Sequence, residues 1–236
     1  MTERIPDAEP LHRHVPDSLL PKENGPRFPT LTRSDLIELA QAGWERIGVI
    51  VLVVNPAGEI LTVTHGEGNP KVVSGTMGVI SETLTYDADG VEQIEDGISR
   101  LFAEELGLSD EEIRGLHLHA LDHGAAQPVK FPLSAGRDAL GLVIVLRADE
   151  HTADTMIKRD SGFNPTREIR YAGFTRPEPL ASNAPLASIF RKGTPSIFQA
   201  AMETLTSPRA HSQIVLPAPR HKSANSLEDL KDLLSP

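Results

Sequence analysis

Cysteine is absent from this 236-residue chain, which excludes disulfides, thiolate metal sites and cysteine nucleophiles. Aromatic residues supply only 4% of it, against 39% hydrophobic residues in all, so its core must be aliphatic. Long apolar runs are missing as well. The longest, Ile47 to Val54, is of strand length and far short of the ~20 residues a membrane span needs. The opening residues, Met1 to Pro6, lack the charged-then-apolar layout of a secretory signal, so a cytoplasmic protein is the expectation. Positive charge is in short supply: 23 Lys and Arg stand against 33 Asp and Glu, a net −10. The imbalance is local, since Glu82 to Glu112 holds eleven acidic residues and a single basic one, Arg100. Such a surface repels phosphate backbones and argues against general nucleic-acid binding. It suits divalent cations, which can bridge to a phosphorylated ligand.

Along the chain, residues 1–32 are rich in proline (Pro6, Pro10, Pro16, Pro21, Pro26, Pro29) and read as a flexible or draped arm, with His12 and His14 facing solvent. Thr32 or Ser34 caps a helix from Asp35 to about Gly43, and Trp44 after it is expected to be a packing anchor. Ile47 to Val54 is apolar throughout, as in a strand covered on both sides. Asn55 to Gly58 turns it into a second strand, Glu59 to Thr64. Lys71 to Ile80 reads as one further strand broken by Gly75 and Gly78. Ser109 to Glu112 is a capping box, Leu116 to Leu121 a half-exposed strand and Ala139 to Arg147 a strongly apolar one. Glu168 to Phe174 completes the sheet. Asn183 to Phe190 and Pro195 to Leu205 read as closing helices, 207–225 as loop, and Ser226 as the cap of a short helix bearing Leu227, Leu230, Leu233 and Leu234. This order predicts a three-layer α/β/α sandwich with a mixed sheet at 33–206 and a C-terminal tail at 207–236. Ser74 to Met77 matches no phosphate loop, and no Gly-Lys-Ser/Thr pattern occurs.

The segment Arg100 to Leu108 (Arg-Leu-Phe-Ala-Glu-Glu-Leu-Gly-Leu) carries the strongest signal. At about 100° per residue, Ile94, Ile98, Leu101 and Phe102 share one arc of a helix. Glu105 projects into that arc, with Glu104 and Arg100 toward the other side. A carboxylate on an apolar face needs a partner, a proton or a cation, because bare burial costs several kcal/mol or more.

That segment resembles the second half of the Nudix box, which reads Gly, five residues, Glu, seven residues, Arg-Glu, a hydrophobic, any residue, Glu-Glu, any residue, Gly, a hydrophobic. Glu92, Arg100, Glu104, Glu105, Gly107 and Leu108 match. Leu101 stands where the box has Glu, and the first Gly is displaced, with Gly78 the best candidate ahead of an insertion around 82–90. The resemblance spans roughly Ile47 to Leu180. It implies a Nudix-like sandwich that hydrolyses a diphosphate bond in a nucleoside-diphosphate-linked small molecule with Mg²⁺ or Mn²⁺. On that pattern Glu104 and Glu105 hold the metal, with the Gly78 carbonyl as a further ligand. Arg100 orients carboxylates, with Glu92 as its partner. Leucine cannot ligate a cation, so a replacement carboxylate is expected from Glu82 or, beyond the box, from Glu168. A homodimer is compatible with the family.

Alternatives stay open on the residues themselves. Arg100 and Glu104 form an ordinary i,i+4 pair on any helix, and Glu105 could be met by backbone amides or Lys71. His117 and His119 share a strand face, and with His123 they are read as ordinary histidines. Arg167 and Arg170 are read as surface charge, with phosphate contact the rival. A degenerate domain that binds a nucleotide-like ligand or a partner protein without hydrolysis is the second functional reading. A scaffold docking partners through the arm and the leucine-rich C-terminal helix is the third.

Overall fold

The computed structural model describes residues 13–20, 28–66, 76–87, 90–120, 127–132, 138–157, 169–176, 197–198, 212–219 and 229–234. Two strands form its axis: β1 (Arg46–Val54) and β7 (Asp138–Ala148) run parallel, in register from Arg46↔Ala139 to Val54↔Arg147. Their continuous apolar sequences follow from burial on both faces. Along β1, Ile47, Val49, Val51 and Val53 join one core, while Ile50, Leu52 and Val54 join the other. The alternation of a pleated strand thus feeds two hydrophobic layers.

The remaining strands complete a mixed sheet. β2 (Ile60–His65) turns back from β1 but pairs with it only at Val54↔Ile60. The two strands then splay, and a segment that breaks at Val79 fills the gap. Its first half, β3 (Met77–Gly78), pairs with β2, and its second, β4 (Ile80–Thr83), pairs antiparallel with β1. The single strand expected at Lys71 to Ile80 is therefore two short ones serving different neighbours, and 71–75 lie outside the described residues. β8 (Ile169–Thr175) lines the outer edge of β2. β5 (Leu118–Ala120) and β6 (Gln127–Pro132) share the far edge of β7, and β9 (Ser212–Ile214) pairs with β5.

Helices α1 (Arg33–Gln41), α2 (Ile94–Glu105), α3 (Asp110–Arg114) and α4 (Glu150–Ile157) contribute to the larger core. Ile197 and Phe198, both helical and fully buried, contribute to the smaller one across the sheet. The layered α/β arrangement is the expected one. β6, α4 and β9 were not expected: β9 lies in the stretch read as loop, because three residues offer too little periodicity to recognise.

The arm and the tail are docked wherever they are described. Val15, Leu19, Phe28 and Leu31 from the arm and Leu216 and Leu230 from the tail join the larger core. Trp44 is 1% exposed; its indole N–H donates to the His14 carbonyl, and the Arg13 guanidinium lies 5.4 Å from its ring centroid. The packing role expected of Trp44 is thus what it does, and what it packs against is the arm. Thr32 and Asp35 form a reciprocal capping box on α1, and the Ser18 hydroxyl also donates to Asp35. The helix expected from Ser226 is a 3₁₀ turn over Leu230–Leu234. It is pinned by Leu230 N–H to the Glu45 carbonyl at 2.9 Å and by Lys231 to the Glu45 carboxylate at 2.8 Å.

These contacts make the terminal segments part of the fold. Leu19→Ala and Leu230→Ala are each expected to cost about 2–4 kcal/mol, as for buried leucines elsewhere, read from urea denaturation. Tyr86, 5% exposed, donates its phenol to the Asp229 carbonyl at 2.6 Å. Burial, then the Asp232 and Asp229 charges, pushes it from 10.0 up to about 12. With the folded value above the unfolded one, this stability is full below pH 10 and is lost as pH rises toward 12. Tyr86→Phe should flatten that alkaline fall, measured as urea midpoints on either side of the window.

Candidate functional site

The site is assembled where α2 crosses β4. β4 hands the chain at Thr83 to a tight hairpin that is bridged at Tyr86↔Val91 and closed by the Asp87 N–H on the Gly90 carbonyl. This hairpin is the insertion noted in the sequence, and it returns Glu92 to the start of α2. Glu92 Oε2 accepts from both the amide and the hydroxyl of Thr85, at 2.8 and 3.1 Å. The Glu92 N–H donates back to the Thr85 carbonyl.

Arg100 is the centre. It is 1% exposed, and its guanidinium donates to Glu92 twice: Nε to Oε1 at 2.9 Å and Nη2 to Oε2 at 2.8 Å. Nη2 also donates to the Thr83 carbonyl at 2.8 Å. Nη1 faces Glu82 at 3.2 Å and Glu104 at 3.4 Å. Burial works against the charge, but the Glu92 hydrogen bonds and the three carboxylates outweigh it and hold the guanidinium more firmly protonated than in water. Glu92 as partner of Arg100 is as expected; the depth of Arg100 is not. Helical-wheel geometry put Glu105 on the apolar arc and Arg100 toward the other side of the helix. In the fold Arg100 is buried, because β4 rather than water lies against that side of α2, and Glu105 is part-exposed.

The other candidate residues fall as follows. Glu104 is 37% exposed and keeps one oxygen toward Arg100. Leu101 is 0% exposed in the larger core. Gly107 takes a φ of 64° after α2, a left-handed conformation that favours glycine at a helix end, and the Leu108 N–H reaches back to the Phe102 carbonyl. Gly78 pairs with Val63, and a Cβ there would fall 2.7 Å from the His65 imidazole Nε2. Glu82, weighed as a substitute ligand, is turned onto Arg100. Glu168, Lys71, Arg167 and His123 lie outside the described residues. His117 pairs with Asp149 at 3.0 Å on the surface; a hydrogen bond from the Thr152 amide chiefly holds that carboxylate below its usual range. Thr83, Thr85 and Ser99 escaped sequence reasoning, since a backbone carbonyl and two small hydroxyls leave no pattern.

Among the described residues no three His, Asp or Glu side chains converge as a metal cage. The end of α2 offers a smaller donor set, the adjacent Glu104 and Glu105. Two carboxylates do not enclose a resident cation. They do suit Mg²⁺, which keeps most of its waters and is commonly held by one or two carboxylates plus substrate phosphates. As oxygen donors the two would suit such a cation.

A splayed β1–β2 pair filled by β3 and β4, with an Arg-Glu-Glu-Gly helix crossing β4, is a distinctive arrangement. The layered α/β fold with a mixed sheet that the sequence led us to expect is present. Solved structures similar to this chain include a MutT protein from Methanosarcina mazei Go1, at 14% identity and a TM-score of 0.43 over 69% of this chain and 96% of that one. A Nudix hydrolase from Nitrosomonas europaea shows 13% identity and a TM-score of 0.43 over 67% and 88%. One from M. smegmatis shows 14% and 0.42 over 71% and 89%. No protein-family model matches the chain, and no curated protein matches its sequence. No helix among the described residues is long and apolar enough to cross a membrane.

Breaking the cluster from its centre should be costly. Arg100→Met strands Glu92 and Glu82 without their counter-charge and is expected to lose about 3–5 kcal/mol. Glu104→Gln, at a part-exposed and longer contact, should lose under about 1 kcal/mol. Urea denaturation of both variants checks the contrast.

Proposed function

We propose that this Nudix-like domain binds a nucleoside-diphosphate-linked small molecule as its Mg²⁺ or Mn²⁺ complex and hydrolyses the diphosphate bond at the open end of α2. The observation that carries the proposal is the pairing of Glu104 and Glu105, both part-exposed, beside a guanidinium that fixes Glu104. An acidic helix end repels a bare diphosphate, so its use for such a ligand requires a bridging cation. When bound, the cation neutralises the diphosphate and acidifies an attacking water. The protein's own residues do the rest. Arg100 orients Glu104 and is itself held by Glu92 and Thr83, Glu105 adds the second oxygen donor, and the Gly78 carbonyl and Glu168 are carried here as a candidate ligand and base on the family pattern alone. The same pattern leaves room for a homodimer.

Leu101 supports a second reading. A buried leucine where the box carries a carboxylate favours a domain that binds the metal–diphosphate complex and leaves it intact.

Phosphate-product release from ADP-ribose, dinucleotides, nucleoside triphosphates and nucleotide sugars, each with Mg²⁺ and Mn²⁺, separates the two. The expected outcome is turnover of one class that falls at least ~100-fold in Glu105→Gln, the order of loss when a group stabilising developing charge is removed. Ligand-dependent thermal stabilisation without product would favour the binding reading. Metal binding in the absence of nucleotide should be weak in either case, and tight stoichiometric Mn²⁺ binding by calorimetry would contradict delivery with the ligand.

A further inference from the structure

The terminal segments touch the box at three separate points, and each point belongs to an element that places Glu92 or Arg100. From the arm, the Leu31 N–H donates to the Gln93 side-chain oxygen and the Leu31 carbonyl accepts from Gln93 Nε2, both at 3.0 Å. From the tail, the Asp229 carbonyl accepts from Tyr86 at 2.6 Å. Also from the tail, the Pro217 carbonyl accepts from Ser99, a fully buried hydroxyl one residue before Arg100. Every polar contact has an apolar plug at or beside it: Leu31 itself at 3% exposure, Leu230 at 1% and Leu216 at 5%.

The hairpin that carries Glu92 needs such support. A two-stranded ribbon with one bridge is not stable alone, and besides its direct bonds with Thr85 and Arg100 Glu92 depends on how its hairpin neighbours Tyr86 and Gln93 are held. We infer that the arm and tail together form a clasp that positions the Glu92–Arg100 pair, with Gln93, Tyr86 and Ser99 as the positioning residues through which it acts. The segments that look like appendages then set the geometry of Glu104 one step further on, because Arg100 is shared between Glu92 and Glu104. The functional consequence rests on the proposed use of Glu104 and Glu105; the clasp itself does not.

Native-state hydrogen exchange on the full chain tests it, because the Thr85 amide donates directly to Glu92 and reports that carboxylate's position. In Tyr86→Phe/Gln93→Ala, the amides of Thr85 and Glu92 should exchange about tenfold faster, as expected of a local opening. The amide of Val51, in the centre of the β1–β7 pair, should keep its wild-type rate. Unchanged exchange at Thr85 and Glu92, or equal acceleration at Val51, would overturn the clasp, the second result showing general loosening only. Where the wild type turns over a substrate, the same variant should lower kcat and leave KM within about twofold, since remote groups orient the reacting constellation. A wild type without turnover would count against the proposed hydrolysis and leave the exchange result to decide the clasp.

Discussion

A guanidinium with almost no contact with water has to be surrounded by acceptors, and that requirement shapes much of this half of the molecule. Arg100 takes two hydrogen bonds to Glu92, one to the Thr83 carbonyl, and the charges of Glu82 and Glu104. Meeting those partners fixes the end of β4, the return of the hairpin and the rotation of α2 about its axis. The cost of dehydrating the charge is severe unless the geometry is good, so the alternatives to this arrangement are few. Burial of an ion cluster here specifies position more than it adds stability.

The cluster also divides the acidic residues by role. Of the eleven between Glu82 and Glu112, Glu82 and Glu92 are 14% and 8% exposed in their side chains and are engaged by Arg100. Glu112 serves the cap of α3. Glu104 and Glu105 are part-exposed at the end of α2. Leu101, one turn inside, has passed to the hydrophobic core. In the proposed function, a site of this composition would hold a cation less firmly than one with another carboxylate and would rely on the oxygens of a phosphorylated ligand.

Around that site the chain spends residues at both termini on order. Leu19 and Leu31 before α1 and Leu216 and Leu230 near the end occupy one continuous core with α2 and the sheet. Proline, polar content and lack of periodicity mark much of these stretches as peripheral, yet single leucines among polar residues dock them. Such contacts are invisible to periodicity because they are not periodic.

Several things were settled by the sequence alone. Eight successive apolar or glycine positions from Ile47 read as a strand covered on both faces, and Ala139 to Arg147 has the same character, so a layered α/β fold with a mixed sheet follows; that the two lie side by side and parallel is a finding of the structure. The arc of Ile94, Ile98, Leu101 and Phe102 set out the helix, and the resemblance of Glu92, Arg100, Glu104, Glu105 and Gly107 to the Nudix box implied the Glu92–Arg100 pair. Tertiary structure decided the rest. Whether Arg100 or Glu105 was the buried charge depended on β4 standing against one side of α2, and that packing is set by residues distant in sequence. The division of 77–83 between two partner strands depended on how far β1 and β2 splay. β9 and the docked arm and tail depended on distant edges and on isolated leucines. A local pattern records which residues share a face of their own element; it holds no record of what the rest of the chain places opposite that face.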